Sequence, residues 1–234
     1  MRLLAFETAT EACSVAVMVD GQVHERFELA PRRHAELALP WAEALLAEAG
    51  IARSQLDAVA VGRGPGAFTG VRLGISIAQG IALALDRPVV PVPTLAALAM
   101  RAPAGSERIL AAIDARMGEV YLGAFRREGE GMVALGDEAV ARPEQAALPD
   151  GASWAGVGTG FSAVDGALEK RLRDCLASVD AIALPHAADL ARLAAIALAR
   201  GEGVAPERVE PAYLRDNVAL TLAEQAESRK RSRP

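Results

Sequence analysis

The sequence predicts an α/β protein built from two similar units, and two observations carry the prediction. Residues 62–74, Gly62-Arg63-Gly64-Pro65-Gly66-Ala67-Phe68-Thr69-Gly70-Val71-Arg72-Leu73-Gly74, join an apolar, β-branched stretch over 56–61 directly to a helical one. The chain also repeats itself. With Glu7 over Asp114, Leu3-Leu4-Ala5-Phe6-Glu7 aligns with Leu110-Ala111-Ala112-Ile113-Asp114, and Cys13-Ser14-Val15-Ala16-Val17 falls over Val120-Tyr121-Leu122-Gly123-Ala124.

Each unit therefore opens as strand, acid, short turn, strand. Turns at Asp20-Gly21 and Gly129-Glu130-Gly131 return each second strand as a third, over 22–29 and 132–140. In the first unit a helix over 34–49, a strand over 57–61, a helix over 69–85 capped by Thr69, a strand from Val89 and a helix from Thr94 complete the order β-β-β-α-β-α-β-α. The second repeats it less cleanly, with a strand over 153–157 and helices near 163–174 and 187–200. The Pro/Gly/Ser stretch over 101–106 separates the two patterned segments, which sets units of 1–103 and 104–217 before a basic, disordered tail over 218–234.

Alternate glycines in the 62–66 loop permit positive φ and close backbone approach, and the following helix offers unpaired N–H groups. The loop either cradles a phosphate or is a tight turn that packs closely. It is not a P-loop, since no Gly-Lys-Ser/Thr ends it. A dinucleotide fingerprint fails at Pro65 and at Val89-Val90-Pro91-Val92, which lacks the terminal acid.

With 234 residues, 52% of them hydrophobic, the chain can build two real cores. A net charge of −5 argues against unaided nucleic-acid binding, so any RNA is held mostly through a partner. The start lacks a signal peptide's apolar region and no uncharged stretch is long enough to span a bilayer, which predicts a soluble cytoplasmic protein. Cys13 and Cys175 have neither metal nor redox spacing and read as small apolar residues.

This duplicated order resembles the actin, sugar-kinase and heat-shock ATPase superfamily (the ASKHA fold). The resemblance implies an acid at the end of each unit's first strand, facing a nucleotide cleft, and Glu7 and Asp114 hold those positions with Thr8, Gly64 and Gly66 nearby. Such a pair either takes Mg²⁺ with phosphate oxygens or caps turns and pairs with neighbours such as Arg116. A closer resemblance lies in Glu7-Thr8-Ala9-Thr10-Glu11-Ala12-Cys13-Ser14-Val15-Ala16, Gly64-Pro65-Gly66-Ala67-Phe68-Thr69-Gly70-Val71-Arg72, Ala78-Gln79-Gly80, Asp114-Ala115-Arg116, Glu119-Val120-Tyr121 and Pro211-Ala212-Tyr213-Leu214-Arg215. Across residues 1–217 these motifs are similar to those of the TsaB (YeaZ) family of bacterial proteins.

The resemblance implies a part in making threonylcarbamoyladenosine beside the tRNA anticodon, as companion to a catalytic paralogue, TsaD, and a small ATPase, TsaE. It implies that the protein is no enzyme itself, needs no cofactor, and meets ATP or ADP only at a complex interface. The residues agree. The three histidines, His24, His34 and His186, form neither His-x-x-x-His nor His-Glu-x-x-His, and no Gly-x-Ser-x-Gly elbow occurs, so metal and catalytic sites are both expected to be absent. Two departures from the family pattern, Glu7 for the usual Asp and Ala67 for the usual Ser, favour a structural loop over a nucleotide site. The alternative is a free-standing nucleotide-dependent enzyme of the same fold; a glycoprotease-like peptidase lacks its motifs.

The helices over 34–49 and 69–85 have too thin a polar face for a monomer's surface. They are either sandwiched inside the fold or covered by a partner. In the resembled family they form half of a four-helix bundle with the paralogue, which implies an interface through Leu37, Trp41, Leu45, Val71 and Ile75, on the order of 1,600 Å² in extent. Alone, the chain is expected to dimerise through the same helices. The polar, basic end over 225–234 is either a solvated tail or a contact for tRNA phosphates, and Arg116 and Arg215 either contact a partner or phosphate, or pair with Glu7, Asp114 or Glu119.

Overall fold

The computed structural model describes residues 1–147 and 150–215. The tail expected over 218–234 lies outside the described residues. Strands β1 (Arg2–Glu7), β2 (Ala12–Val19) and β3 (Gln22–Leu29) form an antiparallel meander. Asp20 and Gly21 make its first turn at φ values of 50° and 88°, the positive pair that a two-residue hairpin requires. Parallel strands β4 (Ala58–Gly62) and β5 (Val89–Val92) extend the sheet to the order β3-β2-β1-β4-β5. Helices α1 (His34–Glu48), α2 (Phe68–Leu85) and α3 (Thr94–Ala99) follow β3, β4 and β5. β4 is buried along its whole length, which is why it reads as a continuous apolar run rather than an alternating one.

The second half repeats the plan with β6 (Arg108–Arg116), β7 (Glu119–Glu128), β8 (Gly131–Ala134), β9 (Ala139–Ala141), β10 (Trp154–Val157), α4 (Ala163–Leu172), β11 (Leu176–Asp180) and α5 (Ala187–Ala199). Its sheet runs β11-β10-β6-β7-β8, with β9 also on β7, so β6 stands for β1 and β10 for β4. The molecule has the duplicated, two-lobed actin-like ATPase architecture. Among the described residues no α-helix stands in the second half where α1 stands in the first.

Several expectations are corrected. The second unit's third strand is not one piece over 132–140 but the two short strands β8 and β9, both paired with β7. β11, which the sequence reading missed, fills the place of β5. The first turn of α4 is not regular helix: Val164, Asp165 and Gly166 all have positive φ. Thr69 does not cap α2, because the helix begins at Phe68 with Ala67 as its cap residue, fixed where its N–H donates to the Ala9 carbonyl at 2.7 Å. The repeat shifts by one residue at its second strand: Glu7 faces Ser14 whereas Asp114 faces Val120, so Ser14 rather than Cys13 is the counterpart of Val120. The second hairpin is the shorter one and carries an irregularity between Asp114 and Arg116.

Among the described residues three buried clusters stack through the molecule. Outside the first sheet, α1 and α2 cover Leu4, Phe6, Val15, Val59 and Val61. Outside the second, α4 covers Leu110, Ala112 and Trp154. Between the sheets lie α3 and α5, and they are exchanged: α3 packs on β6 and β7, whereas α5 packs on β1, β2, β4 and β5. The segment after α5 also returns to the first half, where Val204 pairs with Val89 and Val209 is buried beneath α2's side of the sheet.

α2 sits close to β4 because Val71, Gly74, Ile75, Ala78 and Ala82 form a mostly small inward stripe at helical spacing. A Cβ on Gly74 would come within 2.6 Å of the Thr8 hydroxyl. With 18 residues and a mean hydropathy of 1.5, α2 has the length and apolarity of a membrane-crossing helix, yet here its inward stripe belongs to the core of a lobe. This packing corrects three of the interface positions. Leu45, Val71 and Ile75 are 1%, 5% and 5% exposed and point into the sheet, so they belong to the internal core. Leu37 and Trp41 are half-buried at its border.

Candidate functional site

The glycine loop is closed by the chain's own backbone. Beyond β1 the turn Thr8-Ala9-Thr10 lies across it: the Ala67 N–H donates to the Ala9 carbonyl, and the Thr8 hydroxyl donates to the Gly70 carbonyl at 2.7 Å. A side chain on Gly66 would overlap the Ala9 carbonyl oxygen, and one on Gly70 the Thr8 carbonyl oxygen. These glycines are thus required by the close approach of two protein segments. Gly64 turns the chain at φ 92° and is held to α3 by a reciprocal pair, its N–H donating to the Thr94 hydroxyl at 3.2 Å and its carbonyl accepting from the Thr94 N–H at 2.9 Å.

Glu7 lies beneath this loop and is 1% exposed. One carboxyl oxygen accepts from the Ala9 N–H at 2.8 Å and the other from the Thr94 hydroxyl at 3.0 Å. A side chain on Gly62 would overlap the carboxyl itself. Loss of hydration on burial outweighs these bonds and pushes the Glu7 pKa up to about 7. Thr94 thus ties strand β1, the loop and helix α3 through one hydroxyl. Sequence reading placed it only as a helix start; a Thr opening a helix after Pro93 was the available signal.

The structure brings Glu7, Thr8, Gly64 and Gly66 together, and Asp114 of the other lobe faces the Ala9 turn and Ala67 of the loop across one cavity. Asp114 accepts from the Arg116 backbone N–H at 2.8 Å and its guanidinium at 3.0 Å, closing its own hairpin. That cavity, of about 210 Å³, is lined by Ala9, Thr10, Ala67, Arg32, His34 and Asp114. His34 opens α1 and turns its Nε2 to the carbonyls of Thr10 and Ala12, at 3.0 and 3.1 Å. Arg215 pairs with Glu119, so both arginines took up local acids. Among the described residues no group of three His, Cys, Asp or Glu side chains has a geometry that holds a metal. Cys13 is buried, with its thiol pushed up to about 11 by burial, and is chemically quiet.

The second candidate site is the outer face of α1 and α2, which are neighbours over the first sheet. Leu39 and Leu83 are 48% and 60% exposed, and the small residues Gly80 and Ala84 of α2 are exposed as well. The apolar composition of both helices was visible in the sequence; which side faced out was not.

Known proteins share this chain's pattern over most of its length. The model of the family TsaD, tRNA N6-adenosine threonylcarbamoyltransferase, matches residues 20–222. The tRNA threonylcarbamoyladenosine biosynthesis protein TsaB of Escherichia coli K12 is 44% identical over 229 residues, which cover 94% of this chain and 96% of that protein. Its namesake in Haemophilus influenzae is 40% identical over 230 residues, covering 93% and 95%. The solved structure of YeaZ from Pseudomonas aeruginosa superposes with a TM-score of 0.85 at 50% identity, over 91% of this chain and 99% of that one.

Proposed function

The chain belongs to the TsaB (YeaZ) family, and from that membership we propose that it is the non-catalytic scaffold of the assembly that transfers threonylcarbamoyl to tRNA. Its place is in tRNA threonylcarbamoyladenosine biosynthesis, as its relatives' names state. It binds and orients a TsaD-like catalytic paralogue, helps to dock a TsaE-like ATPase, and meets tRNA within that complex in the cytoplasm. It needs no cofactor of its own; ATP or ADP belongs to a complex interface.

The observation that carries this reading is the outward face of α1 and α2, where Leu39 and Leu83 stay exposed on helices whose inward sides already fill the core. Apolar surface of this kind is seldom left wet. The paralogue is its occupant, and a second copy of this chain covers the same face when the paralogue is missing. The glycine loop adds support, because close packing on Thr8 and Ala9 accounts for its glycines.

Leu39→Glu and Leu83→Glu test it. Each places an unpaired charge in the closed interface, at a cost of about 3–5 kcal/mol, which is at least about a hundredfold in the paralogue's Kd. Titration calorimetry should show that loss while the circular dichroism of the isolated chain stays that of a folded protein, and tRNA modification by the reconstituted proteins should fall with it. Unchanged paralogue affinity in both variants would remove the scaffold reading.

A further inference from the structure

A cavity of about 550 Å³ opens where the two halves meet, and no residue of α1 or α2 lines it. Its charged groups come from different halves: Arg63 from the glycine loop, and Asp137 and Glu138 from the link between β8 and β9. Pro93, Phe125 and Leu214 give it apolar surface. The segment that carries Leu214 is anchored next door, where the Tyr213 hydroxyl accepts from Arg72 at 2.9 and 2.6 Å.

The two kinds of charge face this space without satisfying each other. Arg63 is half-buried and its backbone is fixed on both sides, the N–H donating to the Val92 carbonyl at 2.9 Å and the carbonyl accepting from the Ala212 N–H at 2.8 Å. Among the described residues its guanidinium has no hydrogen-bond or ion-pair partner, and it acts on Glu138 only as a charge at longer range. Glu138 is half-buried too, and its Oε1 is enclosed with no hydrogen-bond partner. Burial pushes its pKa up to about 7, against the opposing pull of Arg63. A carboxylate this short of donors gains from any that enters, and rotation about its terminal bond presents either oxygen.

A purely anionic ligand would meet Arg63 but be repelled by two carboxylates, and a purely cationic one would be repelled by Arg63. A molecule that carries both charges satisfies every group. We propose that the cavity binds a small zwitterion of the α-amino-acid class, its carboxylate on Arg63, its ammonium group on Glu138 with Asp137 beside it, and an apolar side chain against Pro93, Phe125 and Leu214. The guanidinium fork matches a carboxylate through two parallel bonds, and an ammonium group brings three donors to an acid that lacks them. The site is separate from the α1–α2 face and does not depend on the scaffold reading.

The test titrates the full chain with L-leucine, followed by nuclear magnetic resonance at about pH 8, above the Glu138 pKa. Two analogues of the same shape serve as controls: isocaproate lacks the ammonium group and isoamylamine lacks the carboxylate. Leucine should bind with a Kd on the order of 1 mM, as befits a small ligand in an open cavity. Each analogue should bind about tenfold or more weakly, because each loses a charge-assisted contact. Arg63→Gln and Glu138→Gln should each weaken leucine by about tenfold as well, with circular dichroism verifying that both fold. No leucine binding up to about 20 mM, well beyond that Kd, overturns the proposal. Isocaproate binding as well as leucine would make this an anion site, and isoamylamine binding as well would make it an amine site; either result also overturns it. Unchanged leucine affinity in either folded variant does the same, since binding would then lie elsewhere. Should a variant not fold, the two analogues decide on the native chain alone.

Discussion

On folding, the Glu7 carboxyl loses its water and receives two hydrogen bonds, from Ala9 and Thr94. Its pKa rises from 4.5 to about 7, so the folded chain holds a proton that the unfolded chain has released between those values. Stability is therefore greatest below the unfolded pKa and declines as pH rises through the folded one. A gap of this size corresponds to a loss on the order of 3 kcal/mol. Glu7→Gln keeps the shape and removes the titration, since the amide can donate to the Thr94 oxygen and its carbonyl can accept from Ala9. Melting from pH 5 to 8 should show the wild type losing more stability than the variant, in which Glu138, also pushed up to about 7 by burial, still titrates. A parallel decline in both would assign the pH dependence to another group.

Helix α2 separates two kinds of glycine. Gly80 faces out, with nothing within 4 Å of the point where a Cβ would stand, whereas a side chain on Gly70 meets the Thr8 carbonyl. Gly80→Ala should stabilise the isolated chain by about 0.5–1 kcal/mol, the helix-interior difference between the two residues. Gly70→Ala should destabilise it by about 1–3 kcal/mol, because backbone must move to admit the methyl group. Denaturant midpoints measure both. Opposite signs within one helix would establish that the loop's glycines serve packing, and a neutral Gly70→Ala would mean that the turn over the loop yields easily.

At the scale of the whole molecule the exchange of α3 and α5 decides how the halves depend on each other. Leu95 and Leu98 of α3 and Leu190 and Ala194 of α5 share one buried cluster with Ala5 and Ala60 of the first sheet and Ile113 and Val157 of the second. Fragments 1–103 and 104–234 would each lose the helix that covers its inner sheet face. Neither should melt cooperatively alone, and mixing them should restore the circular dichroism transition of the intact chain. Cooperative melting of either fragment by itself would show that its own half supplies a sufficient core.

By itself the sequence determined the elements and their repetition, because these follow from local periodicity. The buried run before Gly62, the Asp20-Gly21 turn and the matching of Glu7 with Asp114 needed nothing beyond near neighbours. The relation to known proteins was also legible, in motifs spread over both halves. Only the tertiary structure decided which face of each helix pointed inward, since an apolar residue reads alike on either side: Leu45, Val71 and Ile75 went to the sheet, and Leu39 and Leu83 to the outside. It also decided that Glu7 is enclosed, that α3 and α5 change sheets, and that Tyr213 meets Arg72 across 141 positions of chain. Those outcomes are set by packing between segments far apart in sequence, where no local period carries the information.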